Sequence, residues 1–137
     1  MVLYIKTIEV PPNTPREEAI ETQIEVEGEV LDEIWYYFPP GCFNGVHIAV
    51  FYGLAQVSPR STEEWVKGDN IIIKDKLYWE LPESPCVLTI KAWSECENFP
   101  HKITLYFHVS PTKYPRWIYP LYLLLKKVKT KMEEYFT

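Results

Sequence analysis

Apolar and polar residues alternate along most of this chain with a period of two. The segment 24–30 shows it clearly, because Ile24, Val26 and Val30 point to one side and glutamates occupy the positions between them. This period is typical of a β-strand with one buried face. The same pattern predicts strands at 2–10, 24–30, 34–38, 46–57, 71–73, 77–81, 86–93 and 103–109.

Turn-forming residues separate these segments. Pro39, Pro40 and Gly41 end the segment 34–38, because proline cannot donate to a strand ladder and glycine accepts a positive φ. Gly28 falls on the apolar side of its segment, which suggests a bulge or a close neighbour. About eight short strands at regular spacing favour an antiparallel sandwich or barrel. We predict an all-β fold with a C-terminal helix: an antiparallel β-sandwich, with a jelly-roll-like topology as one option.

Three segments depart from the strand pattern. Residues 13–20 suit a single helical turn or a loop, and residues 63–65 are similar. Beyond Pro120 the apolar residues recur with helical spacing, which predicts an amphipathic helix over 120–136. Its stripe consists of Leu121, Leu124, Leu125, Val128, Met132 and Tyr135, with lysines around it. The chain therefore divides into a β-sandwich domain over 1–110 and a Pro-rich linker with a C-terminal amphipathic helix over 111–137.

The composition is that of one ordinary folded domain. The chain has 137 residues, of which 47% are hydrophobic and 15% aromatic, enough for a sizeable core. No run of 18 apolar residues occurs, and the chain does not open with a charged segment followed by an apolar one, so we expect neither a transmembrane helix nor a signal peptide. Glu and Lys number 27 while Asn and Gln number six, which resembles the residue usage of thermophile proteins.

Charge is distributed unevenly. Residues 1–110 carry a net charge of −9 and residues 111–137 a net charge of +4, which gives −5 for the chain. Because phosphate binding needs clustered Lys and Arg, we expect no nucleic-acid binding by the acidic body. The basic tail is able to contact phosphate, an anionic surface or the acidic body of a neighbour.

No motif in the chain points to catalysis or to a bound metal. The eight acidic residues within 17–33 include Glu25, Glu27 and Glu29, which we expect on one solvated strand face rather than around a cation. His47 and His108 would come together only if their strands pair, and a third ligand is lacking. No nucleophile elbow, zinc-protease, dinucleotide or P-loop string occurs. We therefore expect a protein that is not an enzyme and holds no cofactor.

The three cysteines show no metal-type spacing. Cys86 lies in an alternating apolar segment, so we expect it in the core. Cys42 and Cys96 lie near loops and form a possible disulfide, which the sequence leaves open.

Bulky aromatic residues are frequent, and they have two possible roles. Trp35, Tyr37, Trp79, Trp93 and Tyr106 could form a platform on which sugar rings stack, or they could lie at an interface with protein. A sandwich buries one face of each sheet, so an outward Trp35 or Trp93 needs cover from the C-terminal segment or another subunit. We favour the interface.

The segment 117–125 is the most apolar part of the chain. It contains Trp117, Ile118, Tyr119, Leu121, Leu124 and Leu125, and Val128 follows. Nine residues cannot cross a bilayer, which needs about 20. The segment suits docking, on the chain's own body, on a neighbour or in a membrane interface. We favour protein because the acidic body matches the lysines.

The strings IEVPPNTP at 8–15, VEGEV at 26–30 and FPPG at 38–41 resemble small β-rich proteins encoded by viruses and integrated elements of thermophilic archaea and bacteria. The resemblance spans 8–110 and implies a component of a virion or mobile element, with a virion-associated location.

We hypothesise a structural protein that oligomerises or decorates a larger particle, with copies of itself or other structural proteins as partners. The alternatives are a carbohydrate-binding sandwich for adhesion or receptor binding and a membrane-surface protein.

Overall fold

Two four-stranded antiparallel sheets pack face to face in the computed structural model, which describes residues 1–61, 63–111, 124–129 and 131. The predicted antiparallel β-sandwich is thereby confirmed. Its elements are β1 (Val2–Val10), a short 3-10 helix (Arg16–Glu18), β2 (Ile20–Val26), β3 (Val30–Phe38), β4 (Val46–Tyr52), β5 (Ala55–Ser58), β6 (Ile71–Glu80), β7 (Cys86–Ser94) and β8 (His101–Ser110).

The strand order is β1-β8-β3-β6 in the first sheet, which we call sheet 1, and β2-β7-β4-β5 in the second, which we call sheet 2. Consecutive strands lie in opposite sheets, except that β4 and β5 form a hairpin. The first and last strands, β1 and β8, pair along their whole length from Val2 opposite Val109 to Val10 opposite His101. Each neighbouring strand pair in both sheets is antiparallel.

The core lies between the two sheets and follows the alternation of the sequence. On β8 the odd positions from Ile103 to Val109 are buried, while the even positions are partly exposed. Cys86 is fully buried in this core, as predicted. The largest buried side chains come from both sheets: Tyr36, Phe38, Phe107, Leu31, Ile34, Ile48, Leu88, Ile90, Ile103 and Leu105.

The structure divides several predicted strands differently. The segment 24–30 belongs to two strands, because Gly28 adopts φ +150° and lies so close to β8 that a Cβ there would be 2.9 Å from the Ser110 carbonyl oxygen. The segment 46–57 is a hairpin that turns at Gly53, where φ is +60°. The predicted strands 71–73 and 77–81 are one strand, β6.

One of the two predicted helical turns is present in the structure and the other is not. The turn within 13–20 is present as the 3-10 helix Arg16–Glu18. Residues 63–65 are not helical, and Val66, directly after them, forms an antiparallel bridge with Ile48. Of the predicted C-terminal helix over 120–136, the described residues 124–129 and 131 are helical. No helix in the described ranges is long and apolar enough to cross a membrane.

Candidate interaction surfaces

The outer face of sheet 1 carries apolar residues in adjacent cross-strand rows. The first row runs across all four strands through Ile5, Tyr106, Trp35 and Lys74. The rows on either side contain Leu3, His108, Glu33 and Lys76, and Thr7, Thr104, Tyr37 and Ile72. Because directly opposed residues have Cβ atoms about 4.5–5.5 Å apart, these side chains form one continuous surface.

Much of the aliphatic part of this surface is exposed to solvent. Leu3 is 49%, Ile5 56% and Ile72 48% exposed. Trp35 and Tyr37 beside them are half-buried. We use the name apolar patch for Leu3, Ile5, Trp35, Tyr37, Ile72 and Tyr106. The aromatic members are among the residues predicted from the sequence, whereas the aliphatic ones are not, although Leu3 and Ile5 occupy alternate positions of 2–10.

Trp35 is held in place by its neighbours on this face. The Lys74 ammonium lies 4.3 Å from the centre of the indole ring, and the His108 ring centre is 4.5 Å away at a tilt of 45°. A cation over an indole face is attracted by the ring's quadrupole. The half-buried indole is therefore held by contacts with Lys74 and His108.

The outer face of sheet 2 is different, because its own chain covers much of it. His47 stacks on Trp93 with ring centres 3.9 Å apart and planes within 5°. Phe51 meets the edge of Trp65, and the guanidinium of Arg16 lies 5.4 Å from the centre of the Trp65 ring. The Glu side chains of β2 continue this face, with Glu21 3.3 Å from the Lys91 ammonium.

His47 is the group with the most perturbed ionisation on this face. Burial is the main cause that lowers its pKa, while the Glu95 carboxylate, whose Oε1 is 3.8 Å from Nε2, acts in the opposite direction. Lys67 and Arg16 lower the pKa further. His47 and His108 do not sit together, because β4 belongs to sheet 2 and β8 to sheet 1. The strand pairing that would bring the two histidines together is therefore not present.

The five aromatic residues proposed as a sugar platform are not on one surface. Trp35, Tyr37 and Tyr106 lie on sheet 1, whereas Trp93 lies on sheet 2. Trp79 packs against the core, with its ring centre 5.8 Å from that of Tyr52, so it is not an outward residue. The alternation 77–81 already placed Trp79 on the same side as buried Leu77. A single platform of these five residues is therefore ruled out.

The predicted acidic strand face is also interrupted. Glu25 points outward from β2, but Glu27 and Glu29 lie in the turn between β2 and β3 because β2 ends at Val26. Among the residues that the structure describes, no group of three or more His, Cys, Asp or Glu side chains is placed to hold a metal ion.

The C-terminal interaction residues are described in part. Leu124 is 58%, Leu125 61% and Val128 46% exposed on the helical segment 124–129. Trp117, Ile118, Tyr119 and Leu121 lie outside the described residues, so their roles stay predictions.

A cleft of about 410 Å³ lies at one end of the sandwich, between the segment after β3 and the loop after β7. Its lining includes Cys42, Cys96, Glu97, Phe99 and His101. All three cysteines are free thiols, so Cys42 and Cys96 are not joined, but the Cys96 sulfur is only 3.6 Å from the Cys42 carbonyl oxygen. Burial raises the pKa of Cys42 to about 11, and the neighbouring Cys96 and Asp69 add to this.

The fold defines the chain as an antiparallel β-sandwich. No family model and no curated protein matches it. Among solved structures it is similar to one titled "Structure of infectious bursal disease virus Gt strain", with a TM-score of 0.40 and 9% sequence identity. The match covers 84% of this chain and 31% of the other, so the chain spans about a third of the length of that structure's chain.

Proposed function

We propose that this protein is a non-enzymatic structural protein that assembles with further copies of itself through the apolar patch on sheet 1. The observation that carries the proposal is a set of exposed aliphatic side chains, Leu3 and Ile5 on β1 and Ile72 on β6, with the aromatic rings of the patch between them. Contiguous apolar patches of this kind are uncommon on solitary proteins and mark interaction sites.

The composition of the patch supports a protein partner. Interfaces are enriched in Tyr and Trp, and the patch has one Trp and two Tyr between its aliphatic residues. Complete burial of a Leu or Ile side chain is worth about 1.5–3 kcal/mol, so covering the exposed half of each of three residues contributes about 1 kcal/mol apiece. The same patch on a second copy would double this gain, as in a two-fold interface.

The C-terminal segment supplies a second apolar surface of opposite charge. The exposed leucines and Val128 stand among lysines, and residues 111–137 carry +4 against −9 for residues 1–110. Such complementarity favours encounter between the tail of one copy and the body of another. The tail therefore supports assembly, with the patch as the primary contact.

The order of the strands supports the same role by analogy. We interpret β1-β8-β3-β6 against β2-β7-β4-β5 as a jelly roll, an eight-stranded double sheet found in viral capsid and lectin domains. A fold does not determine a function. We therefore propose a role in a virion or mobile-element particle only together with self-assembly, which the following experiment tests.

The test compares two charged substitutions at exposed aliphatic positions. Ile5→Glu places a carboxylate within the patch, on β1 opposite Tyr106, whereas Val87→Glu places one on sheet 2 at a residue that is 43% exposed. We expect multi-angle light scattering over a concentration series to show an oligomer for the wild type and for Val87→Glu, and a shift toward monomer for Ile5→Glu. Circular dichroism checks that each variant is folded.

Two results would contradict the proposal. One is a wild-type protein that stays monomeric at every concentration. The other is an Ile5→Glu oligomer of unchanged mass.

A further inference from the structure

Two cysteines from opposite sheets meet at one end of the sandwich. Cys42 follows β3 of sheet 1, and Cys96 follows β7 of sheet 2, 54 positions later. The Cys96 sulfur lies 3.6 Å from the Cys42 carbonyl oxygen. Because the Cα–C and C=O bonds together add at most about 2.8 Å, this sulfur is within about 6.4 Å of the Cys42 Cα. A disulfide also requires the two Cα atoms to lie within about 7 Å, and rotation of both side chains would have to bring the two sulfurs into contact.

Backbone hydrogen bonds hold both cysteines in this position. The Gly45 amide donates to the Cys42 carbonyl at 2.8 Å, and the Glu95 amide donates to the Gly45 carbonyl at 2.8 Å. The Asn13 amide donates to the Cys96 carbonyl, also at 2.8 Å. A Cβ at Gly45 would be only 2.7 Å from the Cys96 sulfur, so glycine leaves the space that this thiol uses.

The two thiols differ in their access to solvent. Cys42 is fully buried in the core, whereas Cys96 is partly exposed where it lines the cleft. The raised pKa of Cys42 keeps that thiol protonated near neutral pH. Since the thiolate is the attacking form, Cys96 is placed to react first and Cys42 second.

We propose that Cys42 and Cys96 form a reversible disulfide by exchange with a small disulfide compound that enters the cleft. In the first step the Cys96 thiolate attacks one sulfur of the compound, whose other sulfur leaves as a thiolate. In the second step Cys42 loses its proton to solvent and attacks the Cys96 sulfur; the bond from Cys96 to the compound breaks, and the second half leaves as a thiolate. Both released thiolates take up protons from solvent. Two protein thiols are oxidised, and one external disulfide is reduced to two thiols.

The lining of the cleft selects among such compounds. Glu95 and Glu97 both contribute to it, so a cationic disulfide is attracted and an anionic one repelled. We expect cystamine, which carries two amines, to react several times faster than glutathione disulfide at low ionic strength. The difference should shrink as salt is added.

The experiment uses the full chain with Cys86→Ala, which leaves only the two thiols of interest. After incubation with cystamine, we expect both thiols to be lost, the intact mass to fall by the two hydrogens of one disulfide, and peptide mapping to join Cys42 to Cys96. Wild-type protein in parallel should keep one thiol, on Cys86.

Cys42→Ala in the Cys86→Ala chain is the matched control, because it retains only Cys96. Its reaction should stop after the first step, at a stable mixed disulfide between Cys96 and cysteamine. An adduct that persists in the Cys86→Ala protein, a disulfide between two chains on a non-reducing gel, or a bridge to Cys86 in wild type would each overturn the proposal. The result does not depend on self-assembly, since a monomeric Ile5→Glu chain should form the same bridge.

Thermal unfolding supplies a second readout. A bridge that closes a loop of this length restricts the unfolded chain, so we expect the oxidised form to melt about 10 °C above the reduced form. The Cys42→Ala protein should show no such difference between oxidising and reducing buffer. An oxidised form that melts no higher than the reduced one would show that the bridge does not fit the native fold.

Discussion

Gly28 occupies the link between β2 and β3, where φ is +150° and the backbone of β8 is close. A methyl group here would overlap the Val109 side chain and approach the Ser110 carbonyl oxygen to 2.9 Å. We expect Gly28→Ala to lower the free energy of unfolding by about 2–4 kcal/mol through backbone strain and overpacking. Urea unfolding would measure the loss.

Gly53→Ala is the control for this substitution. Gly53 also has a positive φ, +60°, but nothing lies within 4 Å of the position of a Cβ. We expect a cost of about 1 kcal/mol, from the backbone conformation alone. Equal losses for the two variants would show that close packing against β8 does not matter.

His47 gives the stability of the fold a dependence on pH. Its folded-state pKa is lowered from 6.5 mainly by burial, so the folded protein binds this proton less tightly than the unfolded chain. Stability is therefore complete above the unfolded pKa and falls as the pH drops through it. Trp93 and Glu95 from the β7 side, Arg16 and Lys67 are the groups that face the ring.

We expect the wild-type melting temperature to fall between about pH 7.5 and about pH 5.5 by more than that of His47→Gln. Differential scanning calorimetry at both pH values measures the two differences. Identical pH dependence in the two proteins would mean that the His47 proton is not linked to folding.

At the scale of elements, a buried chain of hydrogen bonds joins strands of the two sheets. The Tyr36 hydroxyl on β3 donates to Ser58 on β5 at 2.6 Å, and Ser58 donates to Asp75 on β6 at 2.6 Å. Burial raises the pKa of Tyr36 well above its usual value, so the hydroxyl stays a donor. The strands of one sheet are thereby tied to the edge strand of the other.

We expect Tyr36→Phe to destabilise the protein by about 1–2 kcal/mol, since Ser58 loses a partner inside the core. Tyr52→Phe removes an exposed hydrogen bond to Glu83 and should cost less than about 0.5 kcal/mol. Chemical denaturation of both variants tests this, and comparable losses would count against a special role for the buried chain.

The alternation of residues was sufficient to predict the sandwich and the buried faces of β3, β4, β7 and β8. It could not locate two strand ends. The break at Gly28 accompanies a close approach of β8, which the local pattern does not show. The β4–β5 turn is marked in the sequence only by Gly53, whose φ is positive. Periodicity also passes through such turns when their residues happen to be apolar, as with Leu54 in 46–57.

The sequence was sufficient to predict that individual residues of the candidate surfaces point outward, but not which of them lie together on one surface. The outward positions of Trp35 and Trp93 follow from their strands, yet which sheet each strand joins depends on long-range pairing that no local pattern encodes. The apolar patch requires the register between β1, β8 and β3, which brings residues about 100 positions apart into one row. The contact between Cys42 and Cys96 has the same origin.

For the whole molecule, the core formed by the described residues lies within the sandwich. Its members begin at Ile8 and end at Val109, within the domain predicted over 1–110. Since two packed sheets share this interior, we expect residues 1–110 to fold as a unit.

We expect deletion of 117–137 to leave a cooperative thermal transition and a β-type circular dichroism spectrum, because the core residues that the structure describes lie between Ile8 and Val109. Light scattering should then show a smaller oligomer or aggregation, since the exposed leucines that follow residue 123 are lost while the patch remains. Loss of the cooperative transition would mean that the tail is part of the folding unit.

The pairing of β1 with β8 has a topological consequence. Val2 and Val109 stand opposite each other, about 5 Å apart between Cα atoms, so the ends of the sandwich domain are immediate neighbours. A linker of a few residues would close residues 2–110 into a ring, and the exposed Gly53–Leu54 turn offers a place to reopen it. Such a circular permutant would keep every strand pair while moving the free ends from β1 and β8 to the β4–β5 turn, which lies at the same end of the sandwich but on the other sheet.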